Sequence, residues 1–147
     1  MTIRPATKAD APLWEAMRHE LWPADGGGHH YEVEQYFAAS LLNPVEVLLA
    51  FTVTGEAVGF VELSIRNIVD SCTSGRVAYL EGWFVKADER GKGIGSALVQ
   101  AAEEWGRRLG CTELASDTEI SNELSAAMHK ALGFEETDRV IQFRKDL

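Results

Sequence analysis

The sequence has little of what marks a disulfide-bonded, metal-binding or membrane-spanning protein. It contains two cysteines, Cys72 and Cys111, and neither stands in a C-x-x-C or Cys/His spacing. No run of about 18 apolar residues occurs, and the amino-terminal residues MTIRPATKAD lack the apolar core of a secretory signal. We therefore expect a cytoplasmic protein with no disulfide, no bound metal and no membrane association.

Positive charge is also scarce. The chain has 14 Lys and Arg residues against 23 Asp and Glu, which gives a formal net charge of −9. A field of this sign repels nucleic-acid phosphates and attracts cations, so we expect no nucleic-acid partner. Many soluble proteins are acidic for solubility alone, so the charge by itself assigns no function.

Repeats, low-complexity tracts and linkers rich in proline or serine are missing as well. At 147 residues, of which 46% are hydrophobic, the chain is long enough for one domain with its own core. We predict a single domain over residues 1–147.

The pattern of apolar residues predicts a mixed α/β domain around a central sheet. The predicted strands are residues 2–6, 45–53, 57–68, 76–85, 111–117 and 140–145, and the predicted helices are residues 8–22, 31–42, 96–109 and 124–132. The predicted inner face of the first helix consists of Leu13, Trp14, Met17 and Leu21. Residues 24–30, ADGGGHH, form a predicted flexible loop, and residues 54–56 a predicted hairpin turn.

The most distinctive stretch is VKADERGKGIGSALV, residues 85–99, in which Gly91, Gly93 and Gly95 separate a predicted strand from a predicted helix. A P-loop requires G-x-x-x-x-G-K followed by Ser or Thr, but Lys92 is followed by Gly93. A dinucleotide-binding fingerprint requires G-x-G-x-x-G after the first strand, whereas this turn is spaced G-x-G-x-G after a late strand. The spacing that remains fits a turn that presents backbone N–H groups and a helix N-terminus to a phosphate or pyrophosphate.

The run RGKGIG at residues 90–95 resembles the Q/R-x-x-G-x-G/A signature of the GNAT superfamily of acetyl-CoA-dependent N-acetyltransferases. A second pattern of that family, an Asn before a helix with an aromatic residue seven positions on and Gly-Phe at its end, appears as Asn122, His129 and Gly133-Phe134. The resemblance implies a GNAT fold, with a mixed central sheet splayed at the acetyl-CoA site and helices on both faces. It also implies a set of cofactor-binding residues: Phe84, Val85, Arg90, Gly91, Lys92, Gly93, Ile94, Gly95, Ser96, Asn122 and His129.

Four further blocks are similar to the aminoglycoside 6'-N-acetyltransferases. They are LWP at 21–23, LEGWFV at 80–85, ASDT at 115–118 and HKALGFEETDRVIQFRK at 129–145. This resemblance implies transfer of the acetyl group of acetyl-CoA to the 6'-amine of aminoglycoside antibiotics, and so resistance. It further implies a homodimer, which related enzymes sometimes form by exchange of the terminal strand.

The chemistry of such an acceptor requires acidic residues. Aminoglycosides are polycations, so a competent site needs several carboxylates around one amine that has lost its proton. Glu81, Asp117 and Asp138 each lie within one of the four blocks. The family resemblance suggests Glu81 and Asp117 as amine-binding residues, either one acting as general base directly or through water, and Asp138 at a second amino group. The alternative is that Asp117 caps the segment before the last helix and that Glu81 is a solvated strand residue.

Two aromatic side chains complete the predicted site. Where many GNAT enzymes have a Tyr that protonates the leaving thiolate, this chain has His129, which either donates that proton or packs against the cofactor arm. Trp22, next to the predicted loop, is a candidate to stack on a sugar ring while the loop closes over the antibiotic.

Two other functions stay open at the level of sequence. A GNAT enzyme acting on a polyamine or a protein amino group would keep the glycine turn and the acidic field. A non-catalytic acyl-CoA-binding module would keep the glycine turn alone. Neither requires the blocks around Glu81 and Asp117, so turnover of an aminoglycoside distinguishes the three functions.

Overall fold

The computed structural model describes residues 1–24, 26–40 and 43–147, which form five strands and four α-helices. The strands are β1 (Thr2–Pro5), β2 (Glu46–Phe51), β3 (Ala57–Arg66), β4 (Val77–Val85) and β5 (Leu114–Ser116). The helices are α1 (Ala11–Leu21), α2 (Gly28–Phe37), α3 (Ile94–Arg108) and α4 (Glu123–Ala131). Among these helices, none is long and apolar enough to cross a membrane.

The strands lie side by side in chain order, and all neighbours are antiparallel except β4 and β5, which are parallel. This confirms the predicted mixed sheet. The pairing of β5 with β4 ends where Ser116 meets Leu80. Beyond Leu80, β4 continues to Val85 with no strand of the described chain on that side, so the sheet is open there.

Helices cover both faces of the sheet, as predicted. α3 packs on one face through side chains such as Leu98 and Ala102, and α1 packs on the other through Trp14 and Met17. Full burial of a large apolar side chain contributes about 1.5–3 kcal/mol. The centre of β4 is therefore held between two packed layers, which gives the residues on it a fixed position.

The first helix begins later than predicted. The carboxylate of Asp10 is buried and accepts hydrogen bonds from Arg4 and from the backbone and side chain of Thr7, which holds residues 8–10 in a 3-10 turn. The bonds from Arg4 hold the pKa of Asp10 far below its usual range. Leu13, predicted to face inward, is 45% exposed, because α1 turns the side of Trp14 to the sheet.

The second helix begins earlier than predicted, at Gly28 rather than near Tyr31, so His29 belongs to α2 and not to a loop. α2 ends at Phe37, and the predicted end at Leu42 lies outside the described residues. The other predictions are closer: α3 and α4 each begin within two residues of the predicted start.

The predicted last strand, residues 140–145, is wrong for the single chain. Residues 135–147 contain no helix or strand, and Val140, Ile141 and Phe143 are 76%, 80% and 90% exposed. A strand needs a neighbour for its N–H and C=O groups, and no strand of the described chain pairs with this segment. Its apolar side chains are therefore left in solvent.

Candidate functional site

The turn between β4 and α3 has the geometry that the glycine spacing predicts. Gly91 and Gly93 have φ angles of +78° and +84°, a region that favours glycine. α3 begins at Ile94, and the Gly93 carbonyl accepts the N–H of Ala97 at 3.0 Å. The N–H groups of residues 94–96 precede this first helical bond and have no carbonyl in an earlier turn. Together with the helix dipole they form a site for an anion.

The groups around this turn fit the pyrophosphate of coenzyme A. A Cβ placed on Gly91 or Gly93 would meet nothing within 4 Å, so the turn faces open space. Arg90 and Lys92 are exposed cationic side chains on the same turn, and Nζ of Lys92 lies 3.0 Å from a carboxylate oxygen of Glu89. A helix N-terminus flanked by cations is the arrangement that phosphate groups prefer.

Three other predicted cofactor residues lie beside the turn. The ring of Phe84 is buried against Phe60, and its backbone pairs with Phe60 of β3, so a contact of Phe84 with the cofactor stays a prediction. The carbonyl of Val85 accepts Nε–H of Arg90 at 3.0 Å, which fixes the arginine to the strand. Ser96 is half-buried in the first turn of α3.

Glu81 is the extra residue of a β-bulge. Leu80 and Gly82 pair with consecutive residues of β3, which leaves Glu81 unpaired between them. Its carboxylate accepts two hydrogen bonds from Arg66, from Nε at 3.0 Å and from Nη2 at 2.8 Å. These bonds raise the pKa of Arg66. Glu81 is therefore one half of a bidentate ion pair rather than a solvated strand residue.

Asp117 follows the end of β5 and belongs to the same group of side chains. The hydroxyl of Tyr79 donates a short hydrogen bond to Oδ2 of Asp117. Burial, together with this bond, raises the pKa of Tyr79 well above its usual range. The guanidinium of Arg66 lies over the Tyr79 ring, with Cζ 3.5 Å from the ring centroid. Arg66 and Tyr79 thus connect Glu81 with Asp117.

His129 has both ring nitrogens engaged. Nδ1 lies 2.7 Å from the carbonyl oxygen of Ser125, which can only accept, so Nδ1 carries a proton. Nε2 lies 2.8 Å from Oγ of Ser116, which in turn lies 3.3 Å from the carbonyl oxygen of Leu80. The imidazole also packs edge-on against Trp83 at 5.2 Å between ring centroids. His129 therefore reaches the end of β5 through the hydroxyl of Ser116.

Asn122 and Asp138 have local partners. Asn122 caps α4, since its side chain accepts the backbone N–H of the third residue after it at 3.1 Å. Asp138 accepts the backbone N–H of Arg139 at 2.8 Å in the exposed segment after α4. Among the described residues, no hydrogen bond or ion pair joins Asp138 to Glu81 or Asp117. The predicted contacts of Asn122 with the cofactor and of Asp138 with the acceptor stay predictions.

Trp22 follows α1 and lies over β4 at the bulge. A Cβ on Gly82 would lie 2.7 Å from Cη2 of Trp22, closer than real side-chain contacts, so glycine is what lets the indole approach. The indole also stacks on His29, with ring centroids 6.1 Å apart. The structure thus brings Trp22 beside the strand residue that follows Glu81.

A buried charge network lies next to Trp22 and joins α1, α2 and β3. Glu62 is 3% exposed and accepts hydrogen bonds from Nε1 of Trp14 at 3.0 Å and from Nη1 of Arg18 at 2.7 Å. Nε of Arg18 donates to Nδ1 of His29 at 3.1 Å, and Nε2 of His29 donates to the Trp22 carbonyl at 2.7 Å. Because Arg18 only donates and a carbonyl only accepts, His29 is the neutral tautomer with its proton on Nε2.

This network corrects the expectation of a flexible loop over residues 24–30. His29 is buried and tied to two elements, while Asp25 lies outside the described residues. Burial raises the pKa of Glu62 to about 7, although Arg18 opposes the shift. Closure of this segment over a ligand stays a prediction.

Sequence reasoning missed four residues of the site: Arg66, Tyr79, Gly82 and Ser116. The sequence contains a pattern that could have indicated two of them, Tyr79 and Gly82. Tyr79 alternates with Glu81 along β4, and Gly82 interrupts an apolar strand, which indicates a bulge or a close approach. The roles of Arg66 and Ser116 depend on which strands are neighbours, and no local pattern carries that information.

Comparison with known proteins agrees with this fold. The profile of the Acetyltransferase (GNAT) family matches residues 14–134, so the chain belongs to the GNAT acetyltransferase family. This confirms the predicted GNAT fold. The chain is similar to aminoglycoside N(6')-acetyltransferase type 1 of Klebsiella aerogenes, with 47% identity over 147 residues that cover 99% of this chain and 96% of that protein.

Two further relatives agree with this similarity. The type 1 enzyme of Stenotrophomonas maltophilia is 43% identical, with 99% of this chain and 94% of that protein covered. The solved structure of AAC(6')-Iy in complex with the bisubstrate analogue CoA-S-monomethyl-acetylneamine has a TM-score of 0.89 at 38% identity. The match covers 99% of this chain and 98% of that one.

Proposed function

We propose that the protein is an acetyl-CoA-dependent aminoglycoside 6'-N-acetyltransferase whose activity confers resistance to these antibiotics. The proposal rests on one observation: Glu81 and Asp117 lie in one site. Arg66 binds Glu81 and lies over Tyr79, which donates to Asp117. Two carboxylates at the open side of a sheet suit an acceptor that bears several ammonium groups. The names of the relatives support the same substrate class.

Acetyl-CoA is the proposed donor, and it supplies an acetyl group activated as a thioester. The N–H groups of residues 94–96, with Arg90 and Lys92, would hold its pyrophosphate. The coenzyme A moiety of the analogue bound to AAC(6')-Iy supports this assignment. No metal is part of the proposed reaction.

The two carboxylates have different proposed roles. Both oxygens of Glu81 accept N–H groups of Arg66, so Glu81 is assigned to anchoring cationic groups. Asp117 is exposed and shares one oxygen with the Tyr79 hydroxyl, so it is assigned to taking the proton from the acceptor ammonium, directly or through water. The neutral amine then forms the new C–N bond as the C–S bond of the thioester breaks, the nitrogen loses its second proton to solvent, and coenzyme A leaves as the thiolate.

His129 is proposed to act on the leaving thiolate through Ser116. In the imidazolium form, Nε2–H of His129 donates to Oγ of Ser116. The hydroxyl proton of Ser116 is then free to pass to the leaving thiolate. Packing of the ring against Trp83 holds the imidazole in this orientation.

Thiol release from acetyl-CoA tests the proposed function. Kanamycin and tobramycin are offered to the purified chain beside spermidine and a panel of peptides with free amino termini. We expect turnover with the aminoglycosides at a kcat/KM at least about 100-fold above the other amines, within the usual range of enzymatic discrimination. Turnover of spermidine or peptides alone would indicate another GNAT acceptor, and no turnover of any amine would indicate a binding module.

Gly82→Ala tests the proposed contact of Trp22 with the aminoglycoside. The added Cβ would lie 2.7 Å from Cη2 of Trp22, so the indole must move away from β4. Because small displacements of positioning groups have large kinetic effects, we expect KM for kanamycin to rise about tenfold while KM for acetyl-CoA is unchanged. Steady-state kinetics measure both constants. Gly75→Ala is the matched control, since a Cβ there meets nothing within 4 Å, and an equal effect of both variants would contradict the role of Trp22.

We also propose that the protein is a homodimer formed through residues 138–147. This segment has a strand-like sequence and exposes Ile141 and Phe143, yet no strand of the described chain pairs with it. Exposed apolar side chains on a segment with unpaired backbone groups suit addition to the sheet of a second copy.

Light scattering after size-exclusion chromatography tests the dimer. The wild type is expected at twice the mass of the chain, and the double variant Ile141→Lys, Phe143→Lys at the mass of one chain, because two charges would have to be buried in the interface. Val53→Lys, at a position 90% exposed in the β2–β3 turn, is the control and stays dimeric. A monomeric wild type, or a dimeric double variant, would overturn the proposal.

The proposed site of action is the cytoplasm, with residues 1–147 acting as one acetyltransferase domain. Support comes from the co-substrate, which is produced inside cells, and from the free thiols of Cys72 and Cys111. The family match over residues 14–134 supports one functional unit.

A further inference from the structure

The acidic site already contains a cation from the protein itself. The Arg66 guanidinium donates to both oxygens of Glu81, at 3.0 and 2.8 Å, and lies 3.5 Å above the Tyr79 ring. Tyr79 in turn donates to Asp117. Arg66 therefore makes the ion-pair and cation–π contacts that an ammonium group of a substrate would make at the same place.

Solvent reaches this ion pair. The side chain of Arg66 is 40% exposed and that of Glu81 is 22% exposed, so water screens their attraction and can replace each hydrogen bond. By contrast, the side chains of Arg18 on α1 and Glu62 on β3, which form the buried ion pair, are 6% and 5% exposed. The Arg66 pair is thus the one of the two that can exchange partners without opening the core.

We propose that Arg66 is an acceptor-specificity residue: an internal cation that occupies Glu81 in the free enzyme and is displaced by an ammonium group of the polycationic acceptor. This inference rests on the proposed function. Arg66 and a substrate ammonium compete for one carboxylate. The apparent affinity for the acceptor is therefore its intrinsic affinity multiplied by the fraction of time that Glu81 is free of Arg66. Acceptors with several closely spaced ammonium groups overcome this competition, whereas a simple monoamine does not.

A purely structural role for Arg66 leads to the opposite kinetic result. If the guanidinium only holds the Glu81 carboxylate in its working position, its removal loosens the site and weakens binding. If Arg66 competes with the acceptor, its removal strengthens binding. The sign of the change in KM therefore distinguishes the two roles.

Arg66→Gln removes the charge and keeps a side chain able to donate hydrogen bonds. We expect KM for kanamycin to fall about fivefold to tenfold, with kcat changed less than about threefold and KM for acetyl-CoA unchanged. We also expect a monoamine such as cyclohexylamine to become a measurable acceptor. Arg107→Gln, at an exposed position on α3, is the control and leaves all constants unchanged. A rise or no change in KM for kanamycin would overturn the proposal.

A second measurement, made on the wild-type chain, does not depend on the folding of Arg66→Gln. The Nε–Hε signal of Arg66 in nitrogen-15 NMR, assigned with Arg66→Lys, is expected to lose its protection from solvent exchange when kanamycin is added without acetyl-CoA. Retained protection at saturating kanamycin would overturn displacement. Turnover of kanamycin by the same wild-type sample reports on the proposed function separately, and a sample without turnover would refute that function and this inference with it.

Discussion

Asp117→Asn is expected to lower kcat for kanamycin acetylation by about 10²- to 10⁴-fold, the usual contribution of a general base. Asparagine keeps the size of the side chain and still accepts the Tyr79 hydroxyl, so the contact at the end of β5 survives. What is lost is the carboxylate that we propose takes the proton from the acceptor ammonium. Steady-state kinetics with varied kanamycin and saturating acetyl-CoA measure the effect.

Glu81→Gln is the informative comparison for this variant. Since Glu81 is assigned to anchoring, its loss should raise KM for kanamycin with a much smaller effect on kcat. Asp70→Asn, an exposed position in the turn after β3, serves as the control for loss of one negative charge. If Asp117→Asn and Glu81→Gln both raised KM and left kcat intact, neither residue would be the general base.

Arg18→Met is expected to lower the free energy of unfolding by about 3–5 kcal/mol at pH 8.5, the usual cost of leaving one partner of a buried ion pair uncompensated. Methionine retains the apolar stem of Arg18 beside Trp14. It removes the N–H groups that Glu62 and His29 accept. Urea unfolding followed by fluorescence measures the loss.

The same variant has an expected pH dependence. Burial raises the pKa of Glu62 to about 7 in the folded wild type, above its ordinary value of 4.5. The contribution of Glu62 to stability is therefore fully present below pH 4.5 and is lost as the pH rises through about 7. Without Arg18 the folded pKa rises further, so the destabilisation should be smaller at pH 6, where Glu62 takes up a proton, than at pH 8.5.

Arg107→Met is the matched control for this measurement. Arg107 is exposed and lies 3.8 Å from Glu103, so its loss should change the free energy of unfolding by less than about 0.5 kcal/mol. A loss below about 1 kcal/mol in Arg18→Met at pH 8.5 would contradict the account of the network. An equal loss at the two pH values would show that Glu62 does not titrate as described.

Most of the fold could be predicted from local patterns in the sequence. The spacing of Gly91 and Gly93 predicts a turn into a helix, and both residues have the positive φ that such a turn requires. The apolar runs of β2, β3 and β4 predict the strands, and the apolar face of α3 predicts its packing. Each of these features depends on residues close together in sequence.

What the sequence did not reveal depends on contacts between distant segments. The ion pair of Arg66 and Glu81 requires that β3 and β4 be neighbours and that a bulge expose Glu81. The start of α2 depends on the contact of His29 with Arg18 on another helix. Residues 140–145 have the composition of a strand, but a strand also requires a neighbour, which composition does not supply.

The most direct test of the central claim is acetylation of two antibiotics that differ at one position. Neomycin carries an amine at the 6' carbon, whereas paromomycin carries a hydroxyl there and is otherwise the same. With acetyl-CoA and the purified wild-type chain, we expect mass spectrometry to show one added acetyl group on neomycin and none on paromomycin. Equal acetylation of both would place the reaction at another amine and contradict the assignment of this protein as a 6'-N-acetyltransferase.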